Sequence, residues 1–225
     1  ANPPREQTLP EDQQAGAALG EAYETLTLTT IWINSYAAKL TQDYGPLFNR
    51  AKEFYGAAHR AYRERRYHRA LALAAAANDA AGGLLLVLRA YTPAIPDLPI
   101  PPEPPVSAPE ERKGSDPADR PPDSPEAAAR EALRYVRQHL EGNEADRGPG
   151  REFRDASRDL YEQARRALQG GDNRKALQLG QGAAAWIQVA DDMRDAEQGE
   201  RRRPEEREVP SPYRSRIPPP LPRDR

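Results

Sequence analysis

Cysteine is absent from the 225 residues, which removes disulfides, thiolate nucleophiles, Cys-ligated zinc and iron–sulfur clusters together. Histidine is scarce: His59, His68 and His139 are the only three. None forms a metal-binding pair on one helix face or adjoins a nucleophile, so all three are expected at the surface. Lysine occurs four times (Lys39, Lys52, Lys113, Lys175), leaving arginine to supply nearly all positive charge. Charge of one sign does not dominate either. The formal net charge is −2, which argues against the whole chain being a polyanion binder. A clean apolar run is also missing. The best candidate, Ala70–Tyr91, has Asn78 and Asp79 at its centre, where a carboxylate in a bilayer costs about 2.5–3.5 kcal/mol. A buried helix, not a membrane span, is expected there.

What is abundant is proline, 24 residues, and it is unevenly spread. It divides the chain into an extended leader (1–10), a first helical module (11–92), a Pro-rich linker (93–123), a second helical module (124–198) and an extended Pro/Arg-rich tail (199–225). Proline removes the amide donors that helix and sheet require, so the linker reads as polyproline II. A chain that starts at Ala1 has lost either an initiator Met or a signal peptide cleaved after a small residue. The second reading points to the periplasm or the exterior, the first leaves the cytoplasm open.

Within the first module, Leu19, Ala22, Leu26, Thr29, Ile33, Tyr36 and Leu40 step by three and four, the seam of a long amphipathic helix. The β-branched run Thr25–Ile33 alternates as a strand would, but no turn residues bound it and the seam continues on both sides. After Gly45-Pro46 a second helix carries Leu47, Ala51, Phe54, Tyr55, Ala58, Ala61 and Tyr62 on one face, and a third runs from about His68 to Tyr91. Ser124-Pro125-Glu126 is a helix start, and Leu133, Val136 and Leu140 give that helix its face. The next stretch repeats the first module at an offset of 106 residues. Tyr55 matches Tyr161, Ala58 matches Ala164, Ala61 matches Ala167, and Leu71 and Leu73 match Leu177 and Leu179. The fold expected is therefore all-α, with two tandem copies of a three-helix module. In the last helix the same stepping puts Leu179 and Trp186 in the core, and Asp191, Asp192 and Asp195 on a solvated face.

The pattern Ala-x-x-Ala-[Tyr/Leu], a short turn, then [Arg/Lys]-Ala-Leu resembles the helical hairpin of tetratricopeptide repeats over about 35 residues per copy. It is also similar to the hairpin of HEPN-type proteins, whose nuclease members place Arg a few residues before His, as Arg63 and His68 stand here. That resemblance implies an RNA-directed enzyme. In the tail, Arg216-Ile-Pro-Pro-Pro-Leu-Pro222 is similar to the Arg-x-x-Pro-x-x-Pro ligands of Src-homology 3 domains, which implies docking of an extended strand into an aromatic groove.

No catalytic, cofactor or metal site stands out. Two features point to partners. The segment His59–Arg69 holds Arg60, Arg63, Arg65, Arg66 and Arg69 with only Glu64 opposing, a density suited to gripping phosphates or an acidic protein surface. No nucleic-acid fold and, apart from Tyr62 and Tyr67, no aromatic platform accompanies it, and a plain charged turn is the competing reading. The tail sets Tyr213, Ile217 and Leu221 in a segment held extended by prolines, Pro219 and Pro222 among them, with Arg216 as a charge anchor. The expected function is a non-catalytic structural or scaffolding subunit that binds other proteins. The alternative is a helical-bundle protein with a small-ligand pocket lined by Trp32, Tyr36, Tyr55 and Trp186. The HEPN-like enzyme is third.

Overall fold

The computed structural model describes residues 10–40, 42–92, 124–141 and 150–201. Among these residues it is all-helical and contains no strand. Six α-helices follow one another: α1 (Glu11–Tyr36), α2 (Gly45–Arg63), α3 (Tyr67–Tyr91), α4 (Pro125–Glu141), α5 (Arg151–Gln169) and α6 (Asn173–Arg201). Residues 1–9, 93–123 and 202–225 lie outside the described residues, and with them the tail positions Tyr213, Arg216, Ile217, Pro219, Leu221 and Pro222.

Local chemistry accounts for the helix boundaries. Glu11 and Asp12 place negative charge on the positive end of α1. Pro46 stands in the first turn of α2, where its missing N–H is no loss. At Thr92 the backbone turns extended (φ −101°, ψ 137°) because the residue before a proline is driven out of the helical region, and α3 stops. Ser124 Oγ accepts the Ala127 N–H at 3.2 Å to cap α4, and Asp172 Oδ1 accepts the Lys175 N–H at 3.1 Å to cap α6. The β-branched run 25–33 is helical, and its surplus hydroxyls bond back to the preceding turn: Thr29 donates to the Thr25 carbonyl and Thr30 to that of Leu26.

The seam of α1 departs from the expected one at its end. Leu19, Ala22, Leu26 and Thr29 are buried as expected, but the next buried position is Trp32, with Ile33 and Tyr36 only half-buried. The helix stops at Tyr36 and passes through a short 3-10 turn, Ala37–Lys39, so Leu40 is not on it. α2 ends at Arg63, one residue after the last seam position Tyr62, and α6 continues past the expected module boundary at 198 to Arg201.

The most extensive packing is between α3 and α6. α1 and α2 pack on α3, and α4 and α5 pack on α6. α3 is buried on most of its circumference, from Ala70 to Leu88, which its uniformly small and apolar composition allows. It is long and apolar enough to cross a membrane, yet these apolar residues are covered here by other helices. At the α3–α6 crossing the two backbones nearly touch. A Cβ on Gly83 would lie 2.5 Å from the Trp186 indole nitrogen and 3.2 Å from the Gly182 carbonyl, so no other residue fits there. Trp186, wholly buried, packs on Tyr44 (ring centroids 5.6 Å) and edge-on to Phe153 (6.3 Å), which in turn meets Phe54 at 5.8 Å. One aromatic cluster thus joins α2, α5 and α6.

Candidate functional site

The arginine-rich segment forms the last turn of α2, the connection and the first turn of α3. Arg60, Arg63 and Arg66 are exposed, and Arg65 and Arg69 are half-buried. Arg66 Nε stands 3.5 Å from Glu64, the only acid in the segment. The connection is a Schellman closure: Arg66 N–H donates to the Ala61 carbonyl at 2.9 Å and Arg65 N–H to that of Tyr62 at 2.9 Å. This closure needs a left-handed residue, and Arg65 supplies it with φ +61°, the one non-glycine residue with positive φ among the described residues. The α5–α6 connection closes in the same way, Asp172 N–H to Ala167 at 2.9 Å and Gly171 N–H to Leu168 at 3.1 Å, but there a glycine takes the left-handed position at φ +81°. An L-residue pays roughly 1–2 kcal/mol for that conformation where glycine pays none. Arg63 and His68 stand on either side of this exposed turn, one ending α2 and the other opening α3.

The four aromatic residues expected to line a ligand pocket stand in three different settings. Tyr55 is fully buried against Tyr23 and His59, Trp32 stacks on Tyr36, and Trp186 fills the α3–α6 crossing. The stepping that placed each of them inward could not say that they face different neighbours. A cleft of about 620 Å³ opens instead between the end of α1 and the start of α2. Leu84 of α3 lies at its base, Ile33, Leu40, Tyr44 and Phe48 give it apolar walls, and Thr30, Asn34, Gln42, Asp43, Asn49 and Lys52 supply polar groups.

Asp191 and Asp192 are half-buried, not on a solvated face as the stepping suggests; Asp195 alone of the three is exposed. Asp191 is held by Arg194 at 2.9 Å and faces Arg154 at 3.9 Å. Asp192 is different: its Oδ2 is buried with no hydrogen-bond partner. It faces Asp79 of α3 across the α3–α6 seam. Burial pushes Asp192 up to about 7, reinforced by the like charge of Asp79, and burial pushes Asp79 up to about 6, reinforced by Glu21 of α1. The histidines also differ from expectation. Only His68 is exposed, whereas His139 stacks on Tyr135 at 4.0 Å and His59 lies beside Tyr55 at 6.5 Å. Among the described residues no group of three or more His, Asp or Glu could hold a metal ion.

No family model, no curated protein and no solved structure matches the chain.

Proposed function

We propose that this chain is a non-catalytic interaction subunit, whose helical body presents the arginine-rich turn to an acidic surface of a partner protein. The observation that carries the reading is Arg65. The α5–α6 connection makes the same closure with glycine, so arginine at this position is not there for the turn. A residue kept in a strained conformation beside four further arginines is best explained by what its charge does.

The body itself we read as a duplicated three-helix module. The two Schellman closures share every donor and acceptor at the offset of 106 residues. Ala58 and Ala164, Ala70 and Ala176, and Leu73 and Leu179 are all buried, while Leu71 and Leu177 are both half-buried. Tyr55 and Tyr161 differ, the second being only half-buried, in keeping with α4 being a shorter cover than α1. In this reading the Pro-rich linker and tail, with Tyr213, Arg216, Ile217, Pro219, Leu221 and Pro222, clamp partner surfaces in extended form.

The test is native mass measurement of the full-length chain purified with its partners after nuclease treatment, beside an Arg63→Glu, Arg66→Glu double variant. The variant should melt like the wild type and lose its partner. A wild-type chain recovered as a bare monomer would refute the proposal. A second reading, a small-ligand-binding protein, draws on the 620 Å³ cleft between α1 and α2, and ligand-dependent stabilisation of that bare monomer would support it.

A further inference from the structure

The C-terminal end of α3 and the N-terminal end of α6 border a second, open cavity of about 270 Å³. Its lining includes Arg89, Tyr91, Asp172, Arg174, Lys175 and Gln178. Three of these are cations, and none of the three makes an ion pair among the described residues. Two are held in place by aromatic faces instead. The Arg89 guanidinium lies over Trp32 at 5.6 Å and the Lys175 ammonium over Tyr91 at 4.2 Å. Burial pushes Arg89 below its usual range. The one carboxylate present, Asp172, is engaged in capping α6.

A bland account is that these cations neutralise the negative end of the α3 dipole. The magnitudes do not support it. A helix end carries about half a charge, and the positive end of α6, which opens onto the same cavity, offsets that of α3. Three cations less one carboxylate leave the cavity at about +2. A further polar group awaits a partner: Gln178 Oε1 is buried and accepts no hydrogen bond.

We infer that this cavity binds a small phosphate monoester that carries a free hydroxyl. Such an ester has a charge of about −1.5 to −2 at neutral pH, matching the surplus, where a single carboxylate would leave half of it uncompensated. Guanidinium groups bind phosphate oxygens in the fork geometry that Arg89 and Arg174 can offer. Gln178 then accepts from the ligand hydroxyl. The volume of about 270 Å³ suits a phosphoryl group and a few further atoms.

Isothermal titration of the full chain with glycerol 3-phosphate at low ionic strength tests this. One saturable site is expected, weakened about tenfold or more by Arg174→Gln or Lys175→Gln, each of which removes a charge-assisted contact. Arg63→Gln, at the far end of α3, should leave binding unchanged. Inorganic phosphate should bind more weakly than the ester, and Gln178→Leu should erase that difference. Absence of saturation, equal loss in the Arg63→Gln control, or equal binding of inorganic phosphate would overturn the inference. So would tighter binding of a phosphoserine peptide, which would make the cavity part of a protein interface.

Discussion

The indole N–H of Trp186 donates to the carbonyl of Ala80 at 3.1 Å, and the two residues are 106 apart in the chain. That separation equals the offset at which Tyr55 matches Tyr161 and Leu73 matches Leu179 in the sequence, and it falls where α3 crosses α6. One side of the crossing contributes a bulky aromatic ring, the other the bare backbone beside Gly83 that admits it. Trp186 is also the largest fully buried side chain among the described residues. Trp186→Ala should therefore cost about 3–5 kcal/mol, the range for emptying a buried aromatic site. Chemical denaturation of the two proteins measures it, and an unchanged midpoint would show that the crossing is not built this way.

Two glycines in long helices should respond to alanine with opposite signs. At Gly83 a methyl group would fall 2.5 and 2.6 Å from the Trp186 ring, which is itself wedged among buried neighbours and cannot retreat. At Gly20 nothing lies within 4 Å of the added carbon. Gly20→Ala should stabilise by about 0.5–1 kcal/mol through helix propensity alone. Gly83→Ala gains the same propensity but is overpacked, a penalty of about 1–3 kcal/mol, so its melting temperature should fall.

How far the sequence reaches is clear from the last helix. The three-four stepping identified Leu179 and Trp186, which are both fully buried. It misplaced Asp192, because stepping treats a helix as having one inner and one outer side. α6 is packed by α3, α4 and α5, and a helix so enclosed has little outer side left for a carboxylate. The same limit explains Trp32, which the seam of α1 bypassed in favour of Ile33. Neither cavity was legible, since both are formed by residues from separate helices whose relative placement no single period encodes. The arginine turn was visible as composition, but the left-handed backbone at Arg65 was not. Only the geometry makes that residue exceptional.

Stability should fall as pH rises through neutrality, owing to Asp79 and Asp192. Their folded values, about 6 and about 7, lie above the ordinary 3.8 of an unfolded aspartate. The folded chain therefore holds more protons than the unfolded chain between those limits, and the slope of stability against pH is negative there. Their contribution is fully present below the unfolded value and is lost as pH passes through the folded ones. Asp192→Asn mimics the protonated form. It should raise the melting temperature at pH 8 more than at pH 5, flattening the profile measured by circular dichroism. A parallel shift at both values would mean that Asp192 does not titrate in this range.

Arg65→Gly should separate folding from association. Glycine relieves a left-handed strain of roughly 1–2 kcal/mol and adds some freedom to the unfolded chain, so a net gain of about 0.5–1 kcal/mol is expected. If the turn is the docking surface, the stabilised variant should bind its partner less well than the wild type. A variant that is both more stable and equally competent would leave Arg65 without a role in docking.

The association of the two halves should depend on the α3–α6 seam and not on the chain that connects them. Residues 1–92 contain α1, α2 and α3, and residues 124–225 contain α4, α5 and α6. Each half is at the size where a chain buries only about 60% of its surface on folding and is marginal by itself. Separating them would also expose the partners of Trp186, together with Ala80 and Val87 of α3, all buried at the crossing. Neither half expressed alone should give a cooperative thermal transition. Co-expressed, the two should copurify and melt in a single transition below that of the intact chain, since splitting the chain makes association bimolecular. The decisive variant is Gly83→Ala in the first half. The seam account requires it to weaken the pair and lower its melting temperature, because the added methyl group occupies the space of the Trp186 ring. A pair with that substitution that copurifies and melts like the unsubstituted one would show that the halves are joined by something other than this crossing.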